Sequence, residues 1–273
     1  MQATRTAVLP GVEVAHASAG SGSPALLFVH GFACAKEDWQ GQFDHLSASH
    51  RCVALDLPGH GESTRVQACS MPQLAQAVNA VRAEAAPGPV VLVGHSLGVR
   101  IIIDAYLAAP QGVAGIVLVD GRFYDGDPQE IAPRIAALVD GPGFDEFARS
   151  SFTSMFTERA DPAIRDRVVA RARRLDPVFG RSLLLESILW DSTRGRDALR
   201  RIEVPVLHLQ SSDIDASRRM ISLKHGMRTK FMDLVDELVP RATVRVVPDA
   251  GHFAMLDAPA TVNAEIDDFL RTL

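Results

Sequence analysis

Short aliphatic and β-branched runs recur along the chain, each bounded by Gly, Pro, Asp or Asn. They predict strands at Thr6–Leu9, Val12–Ala17, Ala25–His30, Cys52–Asp56, Val90–Gly94, Gly115–Asp120, Pro205–Gln210 and Thr243–Pro248. Apolar residues at three- and four-residue spacing predict helices at Met71–Ala85, Leu97–Ala109, Phe231–Val239 and Pro259–Leu273. Buried strands alternating with helices argue for a mostly parallel sheet covered on both faces. Only turns separate the first strands, so the starting edge is expected to be antiparallel.

One interval breaks this alternation. From Gly121 to Glu203 no convincing strand appears, yet the interval holds 83 residues. Helical spacing runs through Gln129–Val139, Phe144–Phe156, Pro162–Leu175 and Pro177–Leu189, with Pro or Gly at the starts. A structureless loop of that length is foreign to a compact domain. Residues 121–203 are therefore expected to form a helical cap inserted into a core domain built from 1–120 and 204–273. The cap carries six of the twelve Phe (123, 144, 147, 152, 156 and 179), with Met155 and Trp190. These rings fit first the cap's own core and its seam with the body, and second the walls of an apolar pocket. Its 14 basic and 14 acidic residues balance, which gives no charge signature for an ionic substrate.

Composition narrows the class. The chain has 273 residues, 47% hydrophobic and 22% charged, with a net charge of −5. That fits one globular domain with an insertion and excludes a wholly disordered chain. No basic field is present to draw nucleic acid or anionic lipid, and no apolar run is long enough to span a membrane. The first eleven residues lack the apolar run of a secretory signal, which reads as a cytoplasmic protein. Cys34, Cys52 and Cys69 show neither a CxxC pair nor metal-ligand spacing, and no glycine-rich phosphate loop occurs. Neither a metal nor an organic cofactor is expected. The expected partner is a small-molecule substrate, with a homodimer left open.

The chemistry concentrates at Gly94-His95-Ser96-Leu97-Gly98, where a strand runs into a tight turn and then a helix. This is a G-x-S-x-G nucleophile elbow in its strand–turn–helix setting. The strained turn lifts the serine Oγ off the sheet, so the positions two before and two after it need small residues. Both are Gly. The helix N-terminus behind Ser96 aims N–H groups at any oxyanion formed there. Upstream, His30-Gly31-Phe32 follows a strand, which makes the backbone N–H groups of Phe32 and Leu97 the expected oxyanion hole. His252, in Gly251-His252-Phe253 just past the last strand, has the position of the general base. His60 lies in a glycine-flanked turn, His95 flanks the serine and His208 sits inside a strand.

With Asp56-Leu57-Pro58-Gly59-His60-Gly61-Glu62-Ser63, these motifs make the chain resemble the α/β-hydrolase superfamily over nearly its whole length. The resemblance implies the α/β-hydrolase fold: an eight-stranded, mostly parallel sheet with helices on both faces and a helical cap after the sixth strand. It also implies a Ser–acid–His hydrolase that forms an acyl-enzyme on Ser96. It names no substrate, since the fold hosts esterases, lactonases, thioesterases, C–C hydrolases and non-hydrolytic members. Carboxylic ester, lactone or thioester cleavage on a small, largely apolar substrate is expected. The rivals are C–C hydrolysis, cofactor-free oxygen or peracid chemistry, and a ligand receptor.

The acid departs from the family pattern. Most members place it after the seventh strand behind a Gly, which is missing here. Asp213 and Asp215 straddle that register, whereas Asp120 ends the sixth strand, the minority position. Asp120 is preferred, then Asp215, then Asp213. Ser217–Lys230 is locally basic, through Arg218, Arg219, Lys224, Arg228 and Lys230; it reads first as a solvated loop and second as a lip meeting an anionic substrate group. Cys34 reads as a small packing residue with thiol sensitivity as its sharper alternative.

Overall fold

The sheet begins at an exposed edge. In the computed structural model, which describes residues 3–215 and 219–273, β1 (Thr4–Leu9) and β2 (Val12–Ala19) pair antiparallel across a tight turn at Pro10 and Gly11. There follow β3 (Ala25–Val29), β4 (Cys52–Leu55), β5 (Val90–His95), β6 (Val113–Val119) and β7 (Val206–Gln210). After them come β8 (Ser212–Ile214), β9 (Met220–Ser222) and β10 (Ala242–Val246). Eight of these strands form one sheet in the order β1-β2-β4-β3-β5-β6-β7-β10, while β8 and β9 make a separate antiparallel ribbon. β2 is antiparallel to β4, and every later neighbour is parallel. The expected eight strands all form, with bounds within two residues of those read from the pattern. The ribbon was not expected, because three-residue strands carry too little periodicity to register.

Every residue of β3, β4, β5 and β7 is buried, as a sheet covered on both faces requires. The covering helices of the first half are α1 (Gln40–Leu46), α2 (Met71–Ala85) and α3 (Leu97–Ala108). α2 starts at a capping box: the Gln73 N–H donates to the Ser70 hydroxyl, and the Ser70 N–H donates to the Gln73 carboxamide. α2 and α3 pack together. From β3 the chain goes to β4 on one side and to β5 on the other. The crevice at the carboxyl ends of β3 and β5 is thus a topological switch point, where open α/β sheets bind ligands.

Between β6 and β7 lie α4 (Pro128–Asp140), α5 (Phe144–Ser154), α6 (Pro162–Ala172), α7 (Pro177–Trp190) and, after a π-helical turn, α8 (Arg196–Arg200). Three of them open on the same device. Asp127, Asp161 and Asp176 each precede a Pro and accept an N–H from Gln129 (2.8 Å), Ala163 (2.8 Å) and Phe179 (2.9 Å). The carboxylate caps a free helix N–H while Pro, which has none to offer, takes the first helical position. α9 (Lys230–Leu238), α10 (Ala254–Asp257) and α11 (Pro259–Leu270) complete the chain, with α11 packing against α1.

A buried ion pair closes both ends of this helical β6–β7 connection onto α3. Arg100 Nε and Nη2 donate to Asp191 Oδ1 (2.8 Å) and Oδ2 (2.6 Å), with 6% and 1% of the two side chains exposed. Arg100 Nη2 also donates to the Arg122 carbonyl (2.8 Å), and the Tyr124 N–H donates to Asp191 (3.0 Å). Arg100 therefore holds the entry strand-end and the exit helix of residues 121–203 at once. Removing one partner leaves an uncompensated charge where water is excluded. Asp191→Ala is expected to lower unfolding stability by about 3–5 kcal/mol, read from urea denaturation. A loss below about 1 kcal/mol, the range of an exposed pair, would show that this pair is not structural.

Candidate active site

The turn between β5 and α3 is strained in the way the sequence demanded. Ser96, the cap residue of α3, sits at φ 53° and ψ −114°. L-residues avoid that region, and such strain persists only where surrounding contacts enforce it. Gly94 and Gly98 permit the turn. A Cβ at Gly94 would lie 2.6 Å from the Gly98 carbonyl oxygen, and one at Gly98 would lie 2.5 Å from that of Val29. The Ser96 N–H continues the sheet ladder by donating to Val119 O (3.0 Å). The Ser96 side chain stays partly accessible. Gly31 packs against it, since a Cβ there would lie 3.1 Å from Ser96 Cβ. Among the described residues, the N–H groups of Phe32 and Leu97 donate to no acceptor.

His252 reaches this serine from the loop after β10. Its Nε2 accepts from Ser96 Oγ (2.9 Å) and its Nδ1–H donates to Asp120 Oδ2 (2.6 Å). Asp120, at φ 44°, ends β6 and is fully buried. Its Oδ1 accepts from the N–H of Ser211 (2.7 Å) and of Ser212 (2.8 Å), and lies 2.8 Å from Ser211 Oγ. Oδ2 also accepts from Ser212 Oγ (2.5 Å). Burial alone would raise the carboxyl pKa. The hydrogen bond and charge of His252, the Arg122 charge and the Ser212 hydroxyl outweigh it and bring the pKa down to about 2. Burial lowers the His252 pKa below the ordinary imidazole value, against the opposing pull of Asp120.

The other sequence candidates lie elsewhere. Asp215, the alternative triad acid, accepts from the Arg219 N–H (2.9 Å) and pairs with that guanidinium. Asp213 accepts from the Ile214 N–H (2.8 Å). Both lie beyond Ser211 and Ser212, so the chain has already turned into the β8–β9 ribbon before either carboxylate appears. Of the basic stretch, Ser217 and Arg218 fall outside the described residues, while Arg228 pairs with Asp233 and Asp236. The Cys34 thiol is buried, and burial raises its pKa. Trp190 donates to Asp104 on α3 (2.8 Å), a seam contact.

Several determinants gave no signal in the sequence. The Met155 carbonyl, from the end of α5, accepts the His252 N–H (2.8 Å), and a Cβ at Gly251 would lie 2.4 Å from that oxygen. His95 donates Nε2–H to the His252 carbonyl (2.8 Å); burial lowers its pKa to about 3, so it stays neutral. His30 donates to Gly31 O (2.8 Å) and accepts from the Leu57 N–H (3.0 Å), fixing the loop that carries Phe32. Arg171 from α6 pairs with the buried Asp38 of that loop. The carboxylates of Glu37, Asp56 and Glu62 converge closely enough to hold a cation, but the Lys36 ammonium occupies the centre, at 2.7, 2.9 and 2.6 Å. A cleft of about 640 Å³ lies within the insertion, lined by Val139, Phe144, Pro177, Arg181 and Leu189, away from Ser96.

The chain is similar to several known proteins. A 2-succinyl-6-hydroxy-2,4-cyclohexadiene-1-carboxylate synthase of Salmonella agona is 28% identical over 94% of this chain and 97% of its own. The dihydrolipoyllysine-residue acetyltransferase component of the acetoin cleaving system of Pseudomonas putida is 27% identical over 92% of this chain. This chain spans only 65% of that protein's length. A thermophilic esterase of Thermogutta terrifontis superposes with a TM-score of 0.81 at 24% identity, covering 100% of this chain and 99% of the other. No helix among the described residues is long and apolar enough to cross a membrane. The profile of the alpha/beta hydrolase family matches residues 26–265, and the chain belongs to that family of enzymes.

Proposed function

We propose that this protein is a serine hydrolase that cleaves a carboxylic ester, lactone or thioester through an acyl-enzyme on Ser96. The observation that carries this reading is the unbroken relay from Ser96 Oγ through His252 to Asp120, with contacts of 2.9 and 2.6 Å. His252 takes the Ser96 proton as Oγ attacks the acyl carbonyl, and Asp120 holds the imidazole in the tautomer that leaves Nε2 free to accept. The unengaged N–H groups of Phe32 and Leu97 receive the oxyanion. The imidazolium then protonates the leaving alcohol or thiol. His252 next takes a proton from water, whose oxygen attacks the acyl carbon and releases the acid and free Ser96.

An apolar substrate body suits the surroundings. Phe32 contacts Phe144 and Phe152 of α5, at ring centroids of 6.5 and 6.3 Å, and Phe156 stacks on Phe253 at 4.6 Å. In this reading residues 121–203 act as a cap whose aromatic rings meet the rings that flank the oxyanion loop and His252. The esterase named among the structural neighbours has the same overall fold. Full-length likeness to a synthase favours a second reading, in which the same relay acts on a substrate other than an ester. Labelling with a fluorophosphonate, then turnover of an ester, lactone and thioester panel, separates the two.

Ser96→Ala is expected to keep the fold and lose both fluorophosphonate labelling and several orders of magnitude of ester turnover. Normal turnover by the folded variant would remove the mechanism.

Asp120→Asn should cost about 10⁴-fold in kcat, the scale seen when a triad aspartate loses its charge, with Asp215→Asn within about tenfold of wild type. The reverse ranking would return the acid to the ribbon.

Because burial favours neutral His252, kcat/KM for a neutral ester should hold from about pH 8 down through 6.5, the ordinary imidazole value, and fall only below it. A midpoint above about 6.5 would contradict the buried imidazole as base.

A further inference from the structure

Arg122 stands two residues past Asp120, and its guanidinium has no carboxylate partner among the described residues. Nε is buried without a hydrogen-bond partner, and Nη2 lies 2.6 Å from the Met220 thioether. A thioether is a weak acceptor, so Nε is desolvated without a partner and Nη2 is poorly matched. Elsewhere in the chain the same edge forks onto a carboxylate. Arg100 does so on Asp191 (2.8 and 2.6 Å), Arg173 on Asp145 (2.8 and 2.9 Å) and Arg181 on Asp140 (2.8 and 2.9 Å). The planar fork of Nε and Nη2 matches the two oxygens of a carboxylate, which a thioether cannot mimic. The neighbouring negative charge is Asp120, but its oxygens are engaged by Ser211, Ser212 and His252, and no hydrogen bond joins it to Arg122.

Met220 separates the Arg122 guanidinium from open space, and Arg122 itself is not on the lining of that space. Met220 lines a cavity of about 270 Å³ with Met155, Phe156, Ser222 and Gly251. Gly251 precedes His252, and Met155 holds the His252 N–H, so this cavity borders the loop of the proposed base. Glu158, also on the lining, is exposed and not paired with Arg122. Met220 has three rotatable side-chain bonds and can yield its place on Nη2 without backbone movement.

We propose that Arg122 receives a carboxylate on the substrate: the anionic end displaces the Met220 thioether and forks on Nε and Nη2 beside the Ser96 relay. This rests on the hydrolase reading above and names its substrate class, a monoester or monothioester of a dicarboxylic acid. The substrate keeps an apolar body for the aromatic seam and gains one charged end. The even charge count of residues 121–203 gave no hint of this, because a count does not show which arginines are paired within the stretch, as Arg149, Arg173 and Arg181 are, and which are not.

The test compares p-nitrophenyl hexanoate with mono-p-nitrophenyl adipate, esters of equal acyl length that differ by the terminal carboxylate. Wild-type protein should favour the adipate. Arg122→Met should lower the adipate-to-hexanoate ratio of kcat/KM on the order of 10- to 100-fold, and Arg122→Lys should restore part of it, keeping charge without the fork. An Arg122→Met ratio within about twofold of wild type would overturn the proposal, and an equal loss on both esters would make Arg122 a charge acting on Asp120 and His252. Equilibrium dialysis of the adipate ester against Ser96→Ala protein, with and without Arg122→Met, keeps the two readings apart. If no ester turns over, retention that depends on Arg122 still supports the carboxylate seat. If esters turn over but retention ignores Arg122, the seat alone fails.

Discussion

Burying the Asp120 carboxylate without compensation would be among the costliest acts in this fold, and much of the site's geometry follows from how that cost is met. Its oxygens lie within hydrogen-bond distance of two backbone N–H groups, two serine hydroxyls and the His252 imidazole. These come from the turn after β7 and the loop after β10, so both must converge on the end of β6. Gln210 reinforces the convergence by donating to the carbonyls of Gly121 (3.1 Å) and Ser212 (2.9 Å). Ser211 Oγ has one proton and two acceptors in reach, Asp120 and Gly251 O at 2.7 Å, which links the carboxylate to the backbone preceding His252. The imidazole is thereby fixed in place before any substrate arrives.

The elbow was legible because its constraint is local. A strand, a turn with positive φ and a helix follow within a few residues, and close backbone approach writes Gly94 and Gly98 into the sequence. His252 was legible by position, as a histidine in the loop between the last strand and the final helix. The proposed acid was not fully legible. Asp120, Asp213 and Asp215 all follow strands, and what sets Asp120 apart is the pair of hydroxyls at Ser211 and Ser212, ninety residues away. Nothing in local spacing marks a serine as a donor to a distant carboxylate. The insertion followed the same division: its helices showed in their spacing and their starts, whereas the Arg100–Asp191 pair depends on which side chains the fold brings together.

The insertion is fastened to the site itself as well as to the core. Met155 O holds the His252 loop, Arg171 holds the loop that carries Phe32 through Asp38 and the Ala33 carbonyl, and Asp191 holds Arg100, whose Nη1 lies 3.4 Å from Ser96 O. Two of these ties are ion pairs whose aspartates are fully or almost fully buried, and breaking either leaves a charge with no water to receive it. A swing of the whole insertion away from the sheet would therefore disturb the proposed oxyanion donors and the proposed base together. Access is better served by side chains that move without breaking a pair. The Met220 thioether, a weak partner in front of an unmatched guanidinium, is a contact in this region whose loss breaks no ion pair.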